Sequence, residues 1–169
     1  PSSSPSVIPS SSPSAIPSSS PSAISSLPQV GDVITSAGGS SAGFLDGQGT
    51  SARFNYPLGI SVSPDASYAL IADTSNNRIR KMILSSSVVS TLAGGSSSGS
   101  ANGVGTSSSF NGPYGVSISA DGSFALVAEN LNHMIRKIAM ATSAVTTLAG
   151  STSGSSDGAG TSARFNLPL

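Results

Sequence analysis

Asp73 and Glu129 are the two side chains whose spacing could place them in an acid–base pair, since they occupy equivalent positions in two copies of a repeat. Carboxylates can transfer protons in catalysis when their environments separate their pKa values. Equivalent positions in successive repeats more simply indicate a repeated structural role. The sequence predicts that Asp73 binds turn amides or pairs with Arg78, and that Met134, which replaces this arginine in the next copy, removes the pair.

His133 is the only histidine and lies in a predicted turn where the first copy of the repeat has Asn77. A histidine acting as a general base needs a nucleophile or a carboxylate within reach, and a histidine binding a metal needs further ligands. The sequence suggests neither, so His133 is predicted to have a structural role in the turn. No catalytic residue, cofactor or metal is predicted, and the protein is not expected to be an enzyme.

Three Asx-Gly-x-Gly-Thr segments, which begin at Asp46, Asn102 and Asp157, could be mistaken for phosphate or calcium loops. A phosphate loop requires a following lysine and helix, and a calcium loop requires several closely spaced carboxylates. Both features are missing. The segments are better explained as turns that position an aromatic plug between neighbouring repeats. The predicted plugs are Phe54, Phe110 and Phe165.

The elements that position these residues follow from a repeat of about 56 residues, which is the spacing of Asp46 and Asn102. Each full copy contains four short runs rich in β-branched residues and separated by turn signals, a pattern that predicts an antiparallel meander. The predicted strands are Leu58–Ser63, Tyr68–Asp73, Ile79–Leu84 and Val88–Ala93, then Tyr114–Ser119, Phe124–Glu129, Met134–Ala139 and Val145–Ala149, with a lone strand near Val33–Ala37.

The strands are predicted to bury one face each, because apolar residues alternate with serine at Ile60 and Val62 and at Val116 and Ile118. A single four-stranded unit cannot bury both of its faces. It therefore needs neighbours of its own kind. Two basic pairs are predicted to be solvated strand ends. They are Arg80-Lys81 and Arg136-Lys137.

The segments RFNYPLGISVSPDASYALIADTSNNRIRKM and SFNGPYGVSISADGSFALVAENLNHMIRKI resemble NHL repeats, with their Pro-x-Gly start, apolar strand, Val/Ile-Ala-Asp turn and closing Asn-x-Arg-Ile. This resemblance covers about residues 30–169 and implies a β-propeller, which NHL proteins commonly close with about six blades. The expected fold of residues 29–169 is all-β, with two full four-stranded antiparallel blades and partial ones. Two blades cannot close a ring, so either a longer array or assembly between chains is expected.

Residues 1–28 are a separate region, in which proline recurs at every fourth position through three octads. Proline fixes φ and removes backbone donors, which favours an extended polyproline II rod, with a flexible linker as the alternative. The octads resemble the O-glycosylated Ser/Pro stalks of algal and plant wall glycoproteins. The candidate sites of O-glycosylation or hydroxylation are Pro1, Ser2, Ser3, Ser4, Pro5, Ser6, Pro9, Ser10, Ser11, Ser12, Pro13, Ser14, Pro17, Ser18, Ser19, Ser20, Pro21 and Ser22.

Composition narrows the class of partner. The formal net charge is zero and charged residues are only 8% of the chain, so nothing drives counterion release from a nucleic acid. No run approaches the roughly 18 apolar residues of a membrane span, and the absence of cysteine excludes disulfides and thiolate metal sites. Abundant hydroxyls available for glycans favour an extracellular or cell-surface location.

Three functions are compatible with this sequence. The first is a structural subunit of an extracellular or cell-surface fibril or matrix, which assembles with copies of itself and carries covalent O-glycans on the Ser/Pro rod. The second is a propeller binding module for a protein or glycan ligand, with the rod as a spacer. An enzyme on a propeller is the least favoured of the three.

Overall fold

The computed structural model describes residues 31–169. The predicted polyproline II rod and the candidate modification sites lie outside the described residues. Backbone contacts divide the chain into two units, Pro1–Ile34 and Thr35–Leu169. The fold that follows is that of the second unit.

This unit is built from two antiparallel sheets of five strands each, and no α-helix occurs among the described residues. Sheet 1 has the order β1-β5-β4-β3-β2, and sheet 2 has the order β6-β10-β9-β8-β7. The strands of sheet 1 are β1 (Gly47–Gln48), β2 (Pro57–Val62), β3 (Tyr68–Asp73), β4 (Arg78–Ile83) and β5 (Val88–Ala93). Those of sheet 2 are β6 (Gly103–Val104), β7 (Pro113–Ile118), β8 (Phe124–Glu129), β9 (Met134–Ala139) and β10 (Ala144–Gly150).

Short 3₁₀ turns complete the repeat. One turn follows each Asx-Gly segment and another joins the middle strands of each sheet. The residue after each of these middle turns, Asn77 or His133, has a left-handed backbone with φ of 54° or 57°. The turns are Gly49–Ser51, Thr74–Asn76, Gly105–Ser107, Asn130–Asn132 and Gly160–Ser162.

The all-β class and the antiparallel strands are confirmed, with strand ends within about two residues of the prediction. The sheets have five strands rather than the predicted four. The additional strand arises because Gly47 and Gln48, at the start of the first Asx-Gly segment, pair with Val89 and Val88 at the outer edge of sheet 1. The predicted lone strand at 33–37 does not form, since a strand without a hydrogen-bonded neighbour has no ladder to hold it.

The main core lies between the two sheets. Phe110 and eight smaller side chains form it, and Val116 and Ile118 of the inner strand β7 pack against it. Burial of one such aliphatic or aromatic side chain contributes about 1.5–3 kcal/mol. The buried members are Leu70, Ala72, Ile79, Ala93, Phe110, Ala125, Val127, Ile138 and Val145.

Gly59 permits the close approach of the inner strands β2 and β7. A Cβ atom at this position would clash with the carbonyl oxygen of Tyr114 and would lie only 3.0 Å from the amide nitrogen of Val116. Both atoms belong to the backbone, which cannot rotate away as a side chain does. Glycine is therefore required where the two sheets meet at their inner edges.

Candidate functional site

The buried guanidinium of Arg80 binds two carboxylates and two backbone carbonyl oxygens beside sheet 1. We call this set of contacts the Arg80 clamp. Its Nη1 lies 2.7 Å from Oδ2 of Asp73, and both side chains are fully buried. Its Nη2 lies 2.6 Å from Oδ1 of Asp46, which is 46% exposed. The guanidinium also donates to the carbonyl oxygens of Arg53 and Leu45 at 3.0 and 2.9 Å. The Arg80 clamp thus fixes the segment 45–53 against the strands.

Both carboxylate oxygens of Asp73 accept hydrogen bonds. Besides Arg80, its Oδ1 accepts from the backbone N–H of Asn55 at 2.7 Å, and its Oδ2 accepts from the Asn76 side-chain amide at 2.9 Å. A buried carboxylate is stable only when its oxygens are satisfied in this way. The carboxylate of Asp73 thus joins the backbone at Asn55 to the turn that contains Asn76.

Arg136 forms the equivalent clamp in sheet 2, with Nη1 2.7 Å from Oε2 of Glu129. Here Nη2 donates to Oδ1 of Asn102 at 2.9 Å, so a neutral amide replaces the carboxylate of Asp46. Glu129 also accepts hydrogen bonds from Asn111 and Asn132. Burial raises the pKa of the Glu129 carboxyl, and the adjacent guanidinium opposes that shift.

The prediction that Asp73 pairs with Arg78 is wrong. Arg78 is the first residue of β4, and its guanidinium lies 3.8 Å from the centroid of the Phe44 ring, whereas Arg80 forms the ion pair with Asp73. Consequently the change to Met134 does not remove the ion pair of sheet 2. The prediction that Arg80 and Arg136 are solvated is wrong for the same reason, because both are fully buried against a carboxylate.

The two carboxylates are not brought into a shared site, since each is held by the arginine of its own sheet. A sequence signal for these pairs existed. An acidic residue precedes an arginine by seven positions in both copies, as Asp73 precedes Arg80 and Glu129 precedes Arg136. The nearer arginine at position 78 obscured this spacing.

Two of the three predicted aromatic plugs lie beside the clamps. Phe110 is fully buried between the sheets, and its ring centroid lies 5.4 Å from the guanidinium carbon of Arg136. Phe54 packs on the other face of sheet 1, with its centroid 5.0 Å from the guanidinium of Arg80. Phe165 is half-buried against Gly150. Each clamped sheet therefore pairs one arginine with one phenylalanine of the preceding loop.

The middle turn of each sheet joins that sheet to the next repeat. Thr74 donates to the carbonyl oxygen of Pro113 at 2.7 Å, and Oδ1 of Asn77 accepts from the Gly112 amide at 2.9 Å. His133 takes the place of Asn77 in the second copy, and its Nδ1 accepts from the Leu167 amide at 3.1 Å. The residues 163–169 thus dock on sheet 2 as 108–114 dock on sheet 1.

One end of the unit presents large apolar side chains to solvent on these docking loops. Tyr56 is 71% exposed, and Leu131 and Leu167 are also exposed. We call this surface the loop rim. Backbone hydrogen bonds join the loops of the rim. The Ser75 amide donates to the carbonyl oxygen of Asn55, and the Leu131 amide donates to that of Asn111.

The loop rim carries backbone strain. Tyr56 and Leu167 have φ values of 57° and 50°, in the left-handed region where Gly112 lies in the second copy. A side chain in this conformation costs about 1–2 kcal/mol. Two large exposed side chains are therefore kept where glycine would be easier to accommodate, and such outliers motivate a functional hypothesis.

Two further carboxylates cap the turns between β2 and β3 and between β7 and β8. Asp65 accepts from the hydroxyls of Ser63 and Ser67, and Asp121 accepts from those of Ser119 and Ser123. These hydrogen bonds lower the pKa of each aspartate from 3.8 to about 2. The sequence signalled the turns but not these capping bonds.

Within residues 31–169, no helix is long and apolar enough to cross a membrane. In that same range, no three His, Cys, Asp or Glu side chains are grouped so as to hold a metal ion.

Comparison with solved structures shows that the two antiparallel sheets are similar to part of a β-propeller fold. An auxiliary nutrient binding protein from Bacteroides thetaiotaomicron VPI-5482 matches 64% of this chain with a TM-score of 0.57 and 25% identity. The matched region is 30% of that protein. The solved structures of this kind are NHL-like β-propellers.

Sequence comparison supports a relationship with NHL-repeat proteins. The chain is 33% identical over 104 residues to NHL repeat-containing protein 2 of Bos taurus, and 37% identical over 105 residues to Protein SUPPRESSOR OF QUENCHING 1, chloroplastic, of Arabidopsis thaliana. These matches cover 61% and 57% of this chain but only 14% and 10% of the relatives. No family model matches the chain.

Proposed function

We propose that the chain is part of an NHL-type β-propeller that acts as a non-enzymatic binding module for a protein or glycan ligand. Its contact surface is the loop rim of Tyr56, Leu131 and Leu167. The observation that carries this proposal is the exposure of these three large apolar side chains on neighbouring, hydrogen-bonded loops.

The loop rim has the physical character of a recognition surface. Large apolar side chains exposed together at one end of a rigid support are typical of a site of association. Tyrosine is enriched at binding hot spots because it combines a large contact area with a hydroxyl. The clamps below the rim restrain the loops, which lowers the entropy lost on binding. The nutrient binding protein with the same fold is consistent with a binding role.

A binding screen on glycan arrays and on arrays of extracellular proteins tests the proposal. We expect the wild-type chain to bind a ligand that is recovered chemically unchanged. The double variant Tyr56→Ser/Leu131→Ser should lose at least about tenfold in affinity, which corresponds to about 1.4 kcal/mol. The control is Val104→Ser, which alters a similarly exposed apolar residue at the outer edge of sheet 2. Equal binding by the rim variant, or conversion of the ligand, contradicts the proposal.

A structural role in an extracellular or cell-surface fibril or matrix is the second candidate. It is favoured by apolar side chains that the two sheets leave uncovered at Ile60 and Val62. In this role residues 1–28 carry O-glycans and space the blades. Mass spectrometry of the native protein tests this role, and an unmodified polypeptide mass for the segment 1–28 counts against it.

A further inference from the structure

Two apolar residues on the free face of sheet 1 are exposed, whereas the equivalent residues of sheet 2 are packed in the core. Ile60 and Val62 are 63% and 52% exposed. Val116 and Ile118, which lie 56 positions later, pack against the core between the sheets. The same strand position is thus apolar in both sheets, but within the described part of the chain only sheet 2 has a sheet to pack against on that side.

The free face of sheet 2 shows the complementary half of this contact. Leu126, Ala128 and Ile135 are only partly buried and line a groove of about 350 Å³. Their counterparts in sheet 1 are fully buried members of the core, namely Leu70, Ala72 and Ile79. Residues 31–169 therefore contain one complete seam between sheets, and the two separate halves of a second seam.

We propose that these two halves bind each other between copies of the chain, so that sheet 1 of one copy docks on sheet 2 of the next. In the seam inside the chain, the counterparts of these residues pack in one buried core cluster. The contact is heterologous, since different faces meet, and it propagates from copy to copy. This self-association goes beyond the proposed binding function and uses a different surface.

The segment 157–169 competes for the same groove. It matches 46–58 at 11 of 13 positions, and the Leu169 carbonyl oxygen lies 2.6 Å from where a Cβ on Gly115 would be. The Tyr114 carbonyl occupies the same place against Gly59. A docking copy brings its own 46–58 to this position, and both segments cannot fit. Docking therefore requires the release of 157–169.

The balance between the two segments follows from the clamps. Segment 46–58 is held by the buried guanidinium of Arg80, which binds Asp46 and the Leu45 and Arg53 carbonyls. Neither of the two clamp arginines binds segment 157–169. Its Leu167 amide donates to Nδ1 of His133, the carbonyl oxygens of Pro168 and Thr161 accept from Asn130 and Ser151, and its Arg164 donates to Thr152. The less firmly held segment is the one displaced. Segment 157–169 thus limits self-association without abolishing it.

Sedimentation velocity of the 169-residue chain over a concentration series tests this proposal. We expect the mean sedimentation coefficient to rise with concentration without reaching a closed dimer. The variant Ile60→Lys/Val62→Lys should stay monomeric, while Val104→Lys should behave as wild type. Removal of 157–169 should tighten association at least about tenfold. Circular dichroism confirms that each variant is folded.

Cysteine cross-linking provides a second measurement, because the chain has no cysteine of its own. Val62→Cys on one copy and Ile135→Cys on another correspond to Ile118 and Ile79, which both belong to the packed core of the internal seam. Mixing the two variants under oxidising conditions should produce a heterodimer, whereas Val62→Cys mixed with Val104→Cys should not.

Three outcomes overturn the proposal. One is a monomer at every concentration, both with and without 157–169. Another is unchanged association of the Ile60→Lys/Val62→Lys variant. The third is a Val62→Cys thiol that is shielded from an alkylating reagent in a monomer, which would show that another part of the same chain covers the face.

Discussion

Oδ1 of Asn102 lies 2.9 Å from Nη2 of Arg136, and Oδ1 of Asp46 lies 2.6 Å from Nη2 of Arg80 at the equivalent position of the other sheet. The two clamps therefore differ by one negative charge. A hydrogen bond to a charged acceptor is stronger than one to an amide, but Asp46 is 46% exposed and its contribution is screened by solvent. We expect Asp46→Asn to lower the free energy of unfolding by about 0.5–1 kcal/mol and Asn102→Asp to raise it by a similar amount.

Urea denaturation at neutral pH and low salt measures both changes. Added salt should reduce the gain from Asn102→Asp. Effects of the same sign in the two variants would contradict this interpretation of the clamps.

The ion pair of Arg80 and Asp73 predicts strongly coupled substitutions. Arg80→Leu leaves a buried carboxylate without its cation, which should cost about 3–5 kcal/mol. The double variant Arg80→Leu/Asp73→Leu removes both charges and should be less destabilised than the sum of the single variants. A double-mutant cycle in urea measures this coupling. Additive losses would show that the charges do not interact.

The turn aspartates predict a component of acid sensitivity. Because the folded-state pKa of Asp65 and Asp121 is lowered from 3.8 to about 2, their contribution to stability is present above the ordinary value and is lost as the pH falls from 3.8 towards 2. The variant Asp65→Asn/Asp121→Asn should therefore lose less stability than wild type across this window. Urea midpoints from pH 7 to pH 2 test the difference.

Glu129 affects the pH dependence of stability with the opposite sign to Asp65 and Asp121. Because its pKa is raised in the folded state, its contribution to stability falls as the pH rises through the shifted range. It is present in both proteins and cancels in the comparison. Asp157→Asn, outside the two turns, is the control. Parallel stability curves for wild type and the double variant would rule out the capping role.

The same two turns provide a test of backbone strain. Ala66 and Gly122 are equivalent and have φ values of 54° and 70°. Alanine is strained in this left-handed region and glycine is not. We expect Ala66→Gly to raise the free energy of unfolding by about 0.5–1 kcal/mol and Gly122→Ala to lower it by about 1 kcal/mol.

The space around Gly122 isolates the backbone effect. The nearest atom to a Cβ at this position is Cδ of Pro64 at 3.8 Å, an ordinary contact. Thermal unfolding of the reciprocal variants measures the change. A stabilising Gly122→Ala would show that the loss of unfolded-state entropy outweighs the strain.

The strands were predictable because alternation and turn residues are local signals that recur in both copies. Tyr68–Asp73 and Phe124–Glu129 were predicted with the observed bounds. The two-residue strand Gly47–Gln48 was not, since it forms only through pairing with Val88 and Val89 some 40 positions later. A chain segment so short has no periodicity to detect.

The candidate site was less predictable than the strands, because the partners of its side chains are determined by tertiary contacts. Sequence proximity favoured Arg78 as the partner of Asp73, but the ring of Phe44 takes that guanidinium. The sequence also contains no pattern that predicts the loop rim, because the exposure of Tyr56 depends on the tertiary structure. The turn role predicted for His133 is local, whereas its bond to Leu167 spans 34 positions.

Each contact between repeats, which we call a joint, is made by the middle turn of one unit and the opening loop of the next. In these joints the Gly112 amide donates to Asn77, and the Leu167 amide donates to His133. A whole unit inserted by duplication would therefore bring its own donor and its own acceptor. Such a chain can lengthen or shorten in steps of one repeat during evolution without inventing a new contact, whereas a change of half a unit would break two joints at once.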